Sequence, residues 1–376
     1  MKVLTAIDSF KGSFSSKDAN CIISKSFYGW SKVDEVVEIA IADGGEGTIE
    51  SLLENFDGEV IYVSSVDLAA NDIQVRLGWI EEQKIAIIEV AEIVGITFLK
   101  YTEATHPYFT NSYGVGLLIS KALDLGATQI VIGLGGTGTI DLGWGLAAAL
   151  GIRFFDRENN LLDPIPNNFM KAYKMDDTGI DPRIERVKIT LLNDVNNPLL
   201  GGKGAIQMFG KQKGLLENQF VEYERAATHF ADIIEANGYG IPGDGAAGGI
   251  GFMLRNISTA EYQSGFAFIS DVLRLSETMK DCDLIITGEG KMDRQSLIGK
   301  VPTGISGLAK ELGIPCIAFT GKCELSPQEY QEAGIDEVFP IVNQVMTLEE
   351  AITSGKENLA RVSEALVHLM AISQGF

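Results

Sequence analysis

Acidic and basic side chains stand beside glycine-rich turns at several points of the chain, each close to a short run of apolar residues. The acids are Asp8, Asp43, Asp194, Asp283 and Glu289, and the lysines are Lys11, Lys213, Lys291 and Lys300. Carboxylates can hold Mg²⁺, and lysines with backbone N–H groups neutralise phosphate oxygens. A further carboxylate can take the proton of an attacking hydroxyl. The pattern therefore favours phosphoryl transfer.

The most concentrated example is the segment 283–300, DLIITGEGKMDRQSLIGK. Its apolar start, residues 284–287, predicts a buried parallel strand. Residues 288–290, Gly-Glu-Gly, then predict a loop, because glycine tolerates backbone conformations that other residues avoid. Four charged residues follow, namely Lys291, Asp293, Arg294 and Lys300. Taken alone, the segment also fits a solvated surface turn, and strand-end acids elsewhere fit helix caps.

The elements that must position these residues follow one repeated order of strand, acidic glycine loop and helix. Strands are predicted at residues 3–7, 36–41, 60–64, 130–132, 187–192, 284–287, 314–320 and 338–342, and helices at 16–27, 49–54, 117–125, 146–150, 217–236, 270–279 and 348–370. Residues 75–79 and 85–90 alternate like an antiparallel hairpin. Loops at the carboxyl ends of parallel strands are the usual ligand sites of open α/β sheets.

Strand–helix units occur at both ends of the chain, whereas the hairpin lies in the middle. We therefore predict an α/β protein of two domains. A discontinuous Rossmann-like domain, with a doubly wound parallel sheet, takes residues 1–66 and 280–376, and an inserted mixed α/β domain takes residues 67–279. The ligand is expected in a cleft between the two domains.

Composition limits the function classes. The chain has 376 residues and a formal net charge of −21. This charge argues against nonspecific binding of nucleic acid or of an anionic membrane, since both need a cationic surface. An anionic substrate must therefore be met by a local group of cations, backbone N–H groups or a metal.

Cysteine and histidine are too few and too scattered to predict a zinc site. There are four cysteines and three histidines, with no C-x-x-C pair. The first ten residues reach a charge at Asp8 without an apolar core, and no run approaches 18 apolar residues. We expect a cytoplasmic protein with reduced thiols and no membrane or nucleic-acid partner.

Two windows match the dinucleotide-binding pattern G-x-G-x-x-G. The first runs from Gly133 to Gly138 and follows a predicted strand, with Asp156 roughly where a ribose-binding acid would stand; the second runs from Gly243 to Gly248. The first window keeps a nicotinamide-dependent oxidoreductase of a small hydroxy acid open as an alternative. No Walker A lysine is present, because no Gly-Lys pair is followed by Ser or Thr. A G-x-S-x-G elbow is also absent from the sequence.

The glycine-rich motifs also resemble a known family, the bacterial type I glycerate kinases (glycerate 2-kinases). The matching segments are DSFKGS at 8–13, ADGGEGT at 42–48, NSYGVG at 111–116, IGLGGTGTIDLGWG at 132–145, NDVNNPLLGGKGA at 193–205, FGKQKG at 209–214, PGDGAAGGIG at 242–251 and TGEGKMDRQSLIGKVP at 287–302. They occur in family order and span nearly the whole chain. The resemblance implies ATP-dependent, Mg²⁺-dependent phosphorylation of D-glycerate to 2-phosphoglycerate, on a two-domain fold with a discontinuous Rossmann-like part.

The chain departs from the family pattern at a few positions. Residues 138–140 replace an alanine-asparagine-type sequence, and Leu142 replaces a glycine. Lys211 replaces a proline, and Asp244 replaces a small residue. The departure at residues 138–142 is the one that matters for function: if this loop touches glycerate or phosphate, a shifted substrate preference is expected.

Individual roles follow for the implied reaction. Asp194 is the predicted general base, because it ends a strand and is flanked by amides rather than by cations that would lower its pKa. Lys11 and Lys213 are expected to neutralise the transferring phosphate, and Arg294 or Lys300 to bind the glycerate carboxylate. The predicted metal ligands are Asp43, Glu289 and Asp293, and further substrate or phosphate contacts are predicted for Asp8, Ser9, Gly135, Gly136, Thr137 and Asp141.

The expected partners are ATP, Mg²⁺ and D-glycerate, and a homodimer is left open. A non-catalytic sensor of small molecules on a kinase-like fold is a third interpretation. The complete set of acids and lysines argues against it, since a pure binder does not need a base and metal ligands together.

Overall fold

The computed structural model describes residues 1–42, 44–45, 47–234, 240–297 and 299–373. The chain divides into two compact units, the first made of Met1–Asp43, Glu50–Phe56 and Ser264–Phe376, the second of Gly44–Ile49 and Asp57–Gln263. The strands are β1 Lys2–Thr5, β2 Glu35–Glu38, β3 Glu59–Val66, β4 Asp72–Ile80, β5 Ile85–Glu89, β6 Gln129–Gly133, β7 Arg153–Phe155, β8 Lys174–Asp176, β9 Lys188–Leu192, β10 Glu261–Gln263, β11 Leu284–Met292, β12 Cys316–Cys323 and β13 Glu337–Pro340.

The helices alternate with these strands. They are α1 Ser16–Tyr28, α2 Thr48–Asn55, α3 Val90–Val94, α4 Tyr113–Asp124, α5 Trp144–Ala149, α6 Ala205–Phe209, α7 Phe220–Ile234, α8 Ile250–Ile257, α9 Gly265–Val272, α10 Leu275–Met279, α11 Val301–Leu312, α12 Pro327–Glu332, α13 Leu348–Thr353 and α14 Gly355–Ser373. Short 3₁₀ helices lie at Ile96–Phe98, Glu103–Thr105, Pro166–Lys171, Pro182–Glu185, Lys211–Lys213, Glu217–Gln219 and Ala246–Gly249. In the described part of the chain, none of the helices is long and apolar enough to cross a membrane.

The first unit is built on a five-stranded sheet in the order β2-β1-β11-β12-β13. Every neighbouring pair is parallel. Counted within this unit, the order is 2-1-3-4-5, a doubly wound arrangement whose order reverses between β1 and β11. The predicted Rossmann-like parallel sheet is confirmed, and its ligand crevice is expected where β1 and β11 lie side by side.

Helices cover both faces of this sheet, as a buried parallel sheet requires. Consecutive residues of a strand point to opposite faces. Phe319 of β12 belongs to a buried cluster with Ile23 of α1 and Leu366 of α14. Its neighbour Ala318 belongs to a different cluster, with Tyr330 of α12.

The prediction of a loop at residues 288–290 was wrong. Strand β11 continues through these residues to Met292, and Gly288 and Glu289 pair with Phe319 and Thr320 of β12. Glycine is required here for close approach rather than for a turn, because a Cβ atom on residue 288 would lie 2.1 Å from the Phe319 carbonyl oxygen. Glu289 is therefore presented by a strand, which is a more rigid support than a loop.

Replacing Gly288 with alanine is expected to lower the free energy of unfolding by about 1–3 kcal/mol, because the new methyl group would overpack a rigid strand pair. Gly307→Ala is the matched control, since a Cβ atom at this position of α11 would meet no atom within 4 Å. The Gly307→Ala variant should have a free energy of unfolding about 0.5–1 kcal/mol higher than that of the wild type. Urea unfolding of both variants checks the prediction, and equal effects would contradict it.

The second unit is built on a six-stranded sheet in the order β10-β9-β6-β5-β4-β3. Strands β5, β6, β9 and β10 are parallel, while β3–β4 and β4–β5 are antiparallel pairs. The predicted hairpin of residues 75–79 and 85–90 is confirmed. Strand β3, which the sequence assigned to the Rossmann-like part, pairs with β4 along its whole length in this sheet. The domain boundaries at residues 66 and 280 stay a prediction, as does the cleft.

Two predicted helices are interrupted. The helix predicted at 270–279 divides into α9 and α10 at Arg274, whose φ of 50° is left-handed and breaks the helical hydrogen-bond ladder. The helix predicted at 348–370 divides into α13 and α14 at Ser354.

An aromatic group in the second unit anchors the start of α5. Trp144, its first residue, stacks on Phe230 of α7 with ring centroids 4.5 Å apart, and it also contacts Phe154 and Phe169. All four side chains are fully buried. Large buried rings of this kind contribute much of a core's packing energy. The loop that enters α5 is thereby held at one end.

Candidate active site

In the first unit, the loop after β1 lies along β11. The Asp8 N–H donates to the Gly288 carbonyl oxygen at 2.9 Å. A Cβ atom on Gly290 would lie 3.4 Å from the Cα of Phe10 and 3.5 Å from the Lys11 nitrogen. Two motifs far apart in the sequence thus meet at the carboxyl edge of adjacent strands, at the point where the strand order reverses.

This edge carries two carboxylates and a lysine. Asp8 is 3% exposed and Glu289 is 6% exposed, whereas the Lys11 side chain is exposed. The Asp8 carboxylate accepts a hydrogen bond from the Ser9 N–H at 2.7 Å, which fixes the start of the loop. The structure brings together the predicted residues Asp8, Ser9, Lys11 and Glu289, and their roles stay predictions.

The charged residues after Glu289 are engaged with each other. Lys291 forms ion pairs with Asp293 at 3.0 Å and with Glu324 at 3.2 Å. The hydrogen bond from Lys291 lowers the pKa of Asp293. Arg294, 86% exposed, pairs with Glu329 at 3.1 Å. Asp293 and Arg294 thus belong to surface ion pairs. Lys300, which is predicted to bind the carboxylate of glycerate, is half-buried at the N-cap of α11.

The predicted metal site is only partly within the described residues. Asp43, one of its three acids, lies outside them. Among the described residues, no group of three or more His, Cys, Asp or Glu side chains is arranged to hold a metal ion. The ligand set of Asp43, Glu289 and Asp293 stays a prediction.

In the second unit, four parallel strands end in register. Glu89 of β5 is aligned with Gly133 of β6, Gly133 with Leu192 of β9, and Gln263 of β10 with Leu192. The backbone of Leu134 then donates to the Leu192 carbonyl oxygen at 3.2 Å. The glycine loop after β6 and the acidic turn after β9 therefore start side by side at one edge.

Asp194 lies in a turn that its neighbour Asn193 holds. The Asn193 side chain accepts from the Val195 N–H at 3.0 Å and donates to the Val195 carbonyl oxygen at 2.7 Å. The backbone N–H of Asn193 donates to the Gln263 carbonyl oxygen of β10 at 3.0 Å. Asp194 itself is half-buried. From the sequence, the Asn193 amide is expected to give the predicted base an uncharged neighbour. In the structure it also fixes the backbone around Asp194.

The loop after β6 uses its glycines for close packing. A Cβ atom on Gly133 would lie 2.6 Å from the Gly44 carbonyl oxygen, and one on Gly138 would lie 3.0 Å from the Gly95 carbonyl oxygen. The predicted binding residues Gly135 and Gly136 are exposed, while Thr137 is buried.

This loop does not have the form of a dinucleotide fingerprint. Helix α5 begins only at Trp144, well after the last glycine of the window, whereas the fingerprint leads directly into a helix. The Gly138 N–H is also engaged with the Val94 carbonyl oxygen at 2.8 Å. The geometry therefore does not support the nicotinamide-dependent alternative.

Asp141 anchors this loop from inside the unit. The carboxylate is fully buried and accepts from the N–H and the hydroxyl of Ser112, both at 2.7 Å. It also accepts from the N–H of Gly145 at 3.0 Å and of Gly143 at 3.3 Å. Burial raises the pKa of Asp141, and these hydrogen bonds act in the opposite direction. The predicted substrate contact of Asp141 stays a prediction, but its contacts are those of a loop anchor.

Lys213 lies under the same loop. Its side chain is 3% exposed, and Nζ donates to the Thr139 carbonyl oxygen at 2.9 Å and to the Thr137 hydroxyl at 3.2 Å. Burial lowers the pKa of Lys213 to about 7, against the raising effect of the Asp141 charge. The predicted phosphate contact of Lys213 stays a prediction, and it would have to coexist with these two hydrogen bonds.

Comparison with known proteins decides the family. The glycerate kinase family model matches residues 3–371. The chain belongs to the glycerate kinase family. It is 35% identical to the glycerate 2-kinase of Escherichia coli (strain K12), over 99% of this chain and 98% of that one. It is 32% identical to the glycerate kinase of Bacillus subtilis (strain 168), over 96% of each chain.

A solved structure gives the same result for the fold. The crystal structure of a candidate glycerate kinase 2 from Salmonella typhimurium LT2 superposes with a TM-score of 0.86. The two chains are 31% identical and cover each other completely. Kinases are phosphotransferases, and the chain is assigned to this enzyme class through its family.

Two departures from the glycerate kinase pattern change how loops are supported. Leu142, where the resemblance implies glycine, adopts a φ of 53° and is buried. A leucine in this left-handed region is strained, whereas a glycine would not be. Asp244, where the resemblance implies a small residue, is buried and paired with Arg255 at 3.0 Å.

Glu89 is a site-edge residue to which the sequence assigned no role. It is 2% exposed, and its Oε1 accepts from the Ile49 N–H at 2.7 Å, near the start of α2. An acid at the N-terminus of a helix is stabilised by the helix dipole and by the unsatisfied N–H groups. Its position within an apolar run was the signal that could have identified it.

Proposed function

We propose that this chain transfers the γ-phosphoryl group of ATP to the C2 hydroxyl of D-glycerate, giving 2-phosphoglycerate and ADP. The observation that carries the proposal is the family match over residues 3–371. The relative from Escherichia coli is named for the 2-kinase activity. The acids and lysines gathered at strand ends in each unit are the residue types that this reaction uses.

Asp194 is proposed as the general base. Its carboxylate accepts the C2 hydroxyl proton while the hydroxyl oxygen forms a bond to the γ-phosphorus. The bond between that phosphorus and the β–γ bridging oxygen breaks, and ADP leaves with the electron pair. The turn around Asp194, which the Asn193 side chain fixes, supports this role, since a base must be kept within hydrogen-bond reach of the hydroxyl.

Cations and backbone N–H groups are proposed to bind the charged groups of the substrates. Lys11, exposed at the β1–β11 edge of the first unit, would contact phosphate oxygens. In the second unit, the exposed Gly135 and Gly136 are predicted phosphate contacts. Lys300 is preferred over Arg294 for the glycerate carboxylate, because the guanidinium of Arg294 already pairs with Glu329.

Mg²⁺ is proposed as the metal. It usually takes one or two carboxylates and completes its shell with substrate phosphates and water, so a closed cage of three acids is not required. Glu289, a buried carboxylate at the strand edge, fits this need, with Asp43 and Asp293 as its predicted companions. When bound, the ion would neutralise charge on the phosphate oxygens.

We also propose that the protein works in the cytoplasm. All four cysteines are free thiols, which is the usual state in a reducing compartment. A homodimer stays a prediction.

An ADP-formation assay tests the proposed function. With ATP, MgCl₂ and D-glycerate, we expect one ADP for each glycerate consumed, and we expect EDTA to abolish the turnover. NADH fluorescence, titrated in parallel, should show no quenching. If ADP does not rise above the glycerate-free background, the proposal is overturned. Saturable quenching of NADH fluorescence would instead support the oxidoreductase alternative.

A further inference from the structure

A buried charged cluster lies next to the Asp194 turn, and no proposed step of the reaction uses it. The Asp244 carboxylate is 0% exposed and accepts from Arg255 through both oxygens, from Nε at 3.1 Å and from Nη2 at 3.0 Å. The Tyr262 hydroxyl donates to it at 2.9 Å. Burial and the neighbouring Asp244 charge raise the pKa of Tyr262, which keeps this hydroxyl a donor.

The backbone around Asp244 encloses the far end of the Asp194 turn. The N–H groups of Gly243 and Gly245 both donate to the Asn197 carbonyl oxygen, at 3.2 and 3.0 Å. A Cβ atom on Gly245 would lie 2.4 Å from the Pro198 carbonyl oxygen. Residues 197 and 198 are therefore closely packed against residues 243–245.

The same cluster also reaches the near end of the turn. A Cβ atom on Gly243 would lie 2.7 Å from the side-chain nitrogen of Asn193. Tyr262 lies in β10 opposite Leu191 of β9, and the next residue, Gln263, accepts from the Asn193 N–H at 3.0 Å. Asp244 therefore connects elements that contact residues 193 and 197, on either side of Asp194.

We propose that Asp244, with Arg255 and Tyr262, forms a positioning cluster for Asp194. A two-point pairing of arginine with a carboxylate fixes orientation as well as distance. The pairing holds the 243–245 turn on α8, and the hydrogen bond from Tyr262 joins the same turn to β10. The 193–197 turn is bonded to both, to β10 through Asn193 and to the 243–245 turn through Asn197. The inference rests on the proposed function, because it takes Asp194 as the base. A displacement of about 1 Å at a base is enough to lower a rate about 100-fold.

Asp244→Asn tests the cluster by weakening the ionic pairing while keeping the shape. We expect kcat for glycerate phosphorylation to fall by about 10- to 100-fold, with the KM for ATP within about twofold of wild type. Tyr262→Phe, which removes one hydrogen bond and is less disruptive to folding, should lower kcat in the same direction by a smaller factor.

Asp181→Asn is the matched control. The Asp181 carboxylate accepts hydrogen bonds from Nε and Nη2 of Arg183. This pair lies in the same unit, but at the amino-terminal side of β9, away from Asp194. The Asp181→Asn variant should keep wild-type kcat and KM.

A double variant separates positioning from folding. Replacing Asp244 with leucine and Arg255 with methionine exchanges a buried pair for an apolar one, which often restores stability. We expect the thermal midpoint to return toward wild type while kcat stays as low as in Asp244→Asn. Recovery of kcat together with the thermal midpoint would overturn the proposal, because the cluster would then serve folding alone.

The proposed function and this inference fail in different ways. If the wild-type protein makes no ADP with D-glycerate, the proposed function fails and the inference falls with it. If the wild type is active and Asp244→Asn folds with unchanged kcat, only the inference is overturned.

Discussion

Replacing Asp194 with asparagine is expected to lower kcat by about 10²- to 10⁴-fold, the range typical for loss of a general base. Asparagine keeps the size of the side chain but cannot accept the C2 hydroxyl proton. The turn should persist, because Asn193 holds it through the backbone of Val195. Nucleotide binding should therefore be retained.

The measurement combines ADP formation with calorimetric titration of ATP. Asp177→Asn, at an exposed acid of the same unit, is the control and should leave kcat unchanged. Near-normal turnover of Asp194→Asn would remove Asp194 from the role of base. Loss of ATP binding along with kcat would show instead that the residue shapes the nucleotide site.

Replacing Lys213 with methionine is expected to lower kcat by about 10²- to 10³-fold, the usual cost of losing one group that stabilises transition-state charge. Lys213 is also the donor to Thr137 and to the Thr139 carbonyl oxygen, so the glycine loop loses two hydrogen bonds. Lys211→Met is the control, because Lys211 is exposed and pairs with Glu217 at the surface. A kcat within twofold of wild type in both variants would contradict the assignment.

The pH dependence of stability gives a second test of Lys213. Its pKa falls from 10.5 to about 7 on folding, so between these values the unfolded chain binds one proton more than the folded chain. The free energy of unfolding contributed by this group therefore rises with pH across that window, by up to about 1.4 kcal/mol per pH unit, and is constant below it.

Other buried groups act in the opposite direction, since burial raises the pKa of Cys316. The quantity to measure is accordingly the difference between wild type and Lys213→Met in urea unfolding at pH 7 and pH 9. From pH 7 to pH 9, the free energy of unfolding of the wild type should increase relative to that of Lys213→Met. It should not increase relative to that of Lys211→Met. An unchanged difference between the two pH values would show that Lys213 keeps its proton when buried.

Local patterns in the sequence were enough to predict much of the fold. Short apolar runs, glycine loops and helical periods located β1, α1, β6 and β9, because these signals depend on neighbours along the chain. The loop of Asp8 and strand residue Glu289 lie at one edge, in agreement with the rule that the carboxyl ends of parallel strands carry the ligand-binding loops. The turn of Asp194 and the loop that begins at Leu134 agree with the same rule in the second unit.

What the sequence could not predict depends on partners distant in the chain. Whether Gly288 serves a turn or a close strand contact is decided by Phe319 on the next strand. The burial of Lys213 and Asp141 is decided by residues 112, 137 and 139, although an isolated lysine or aspartate is usually exposed. These residues were recognised as chemically interesting, but their hydrogen bonds to the loop came only from the structure.

The proposed reaction is phosphoryl transfer from ATP to the C2 hydroxyl of glycerate, with Asp194 as the base. Proton-coupled ³¹P NMR of the reaction mixture identifies the product, because a phosphate on C2 couples to a single methine proton. We expect a new doublet with the wild-type protein and none above the enzyme-free control with Asp194→Asn on the same timescale. A triplet, which marks a phosphate on the C3 methylene, or no new resonance from the wild type, would contradict it.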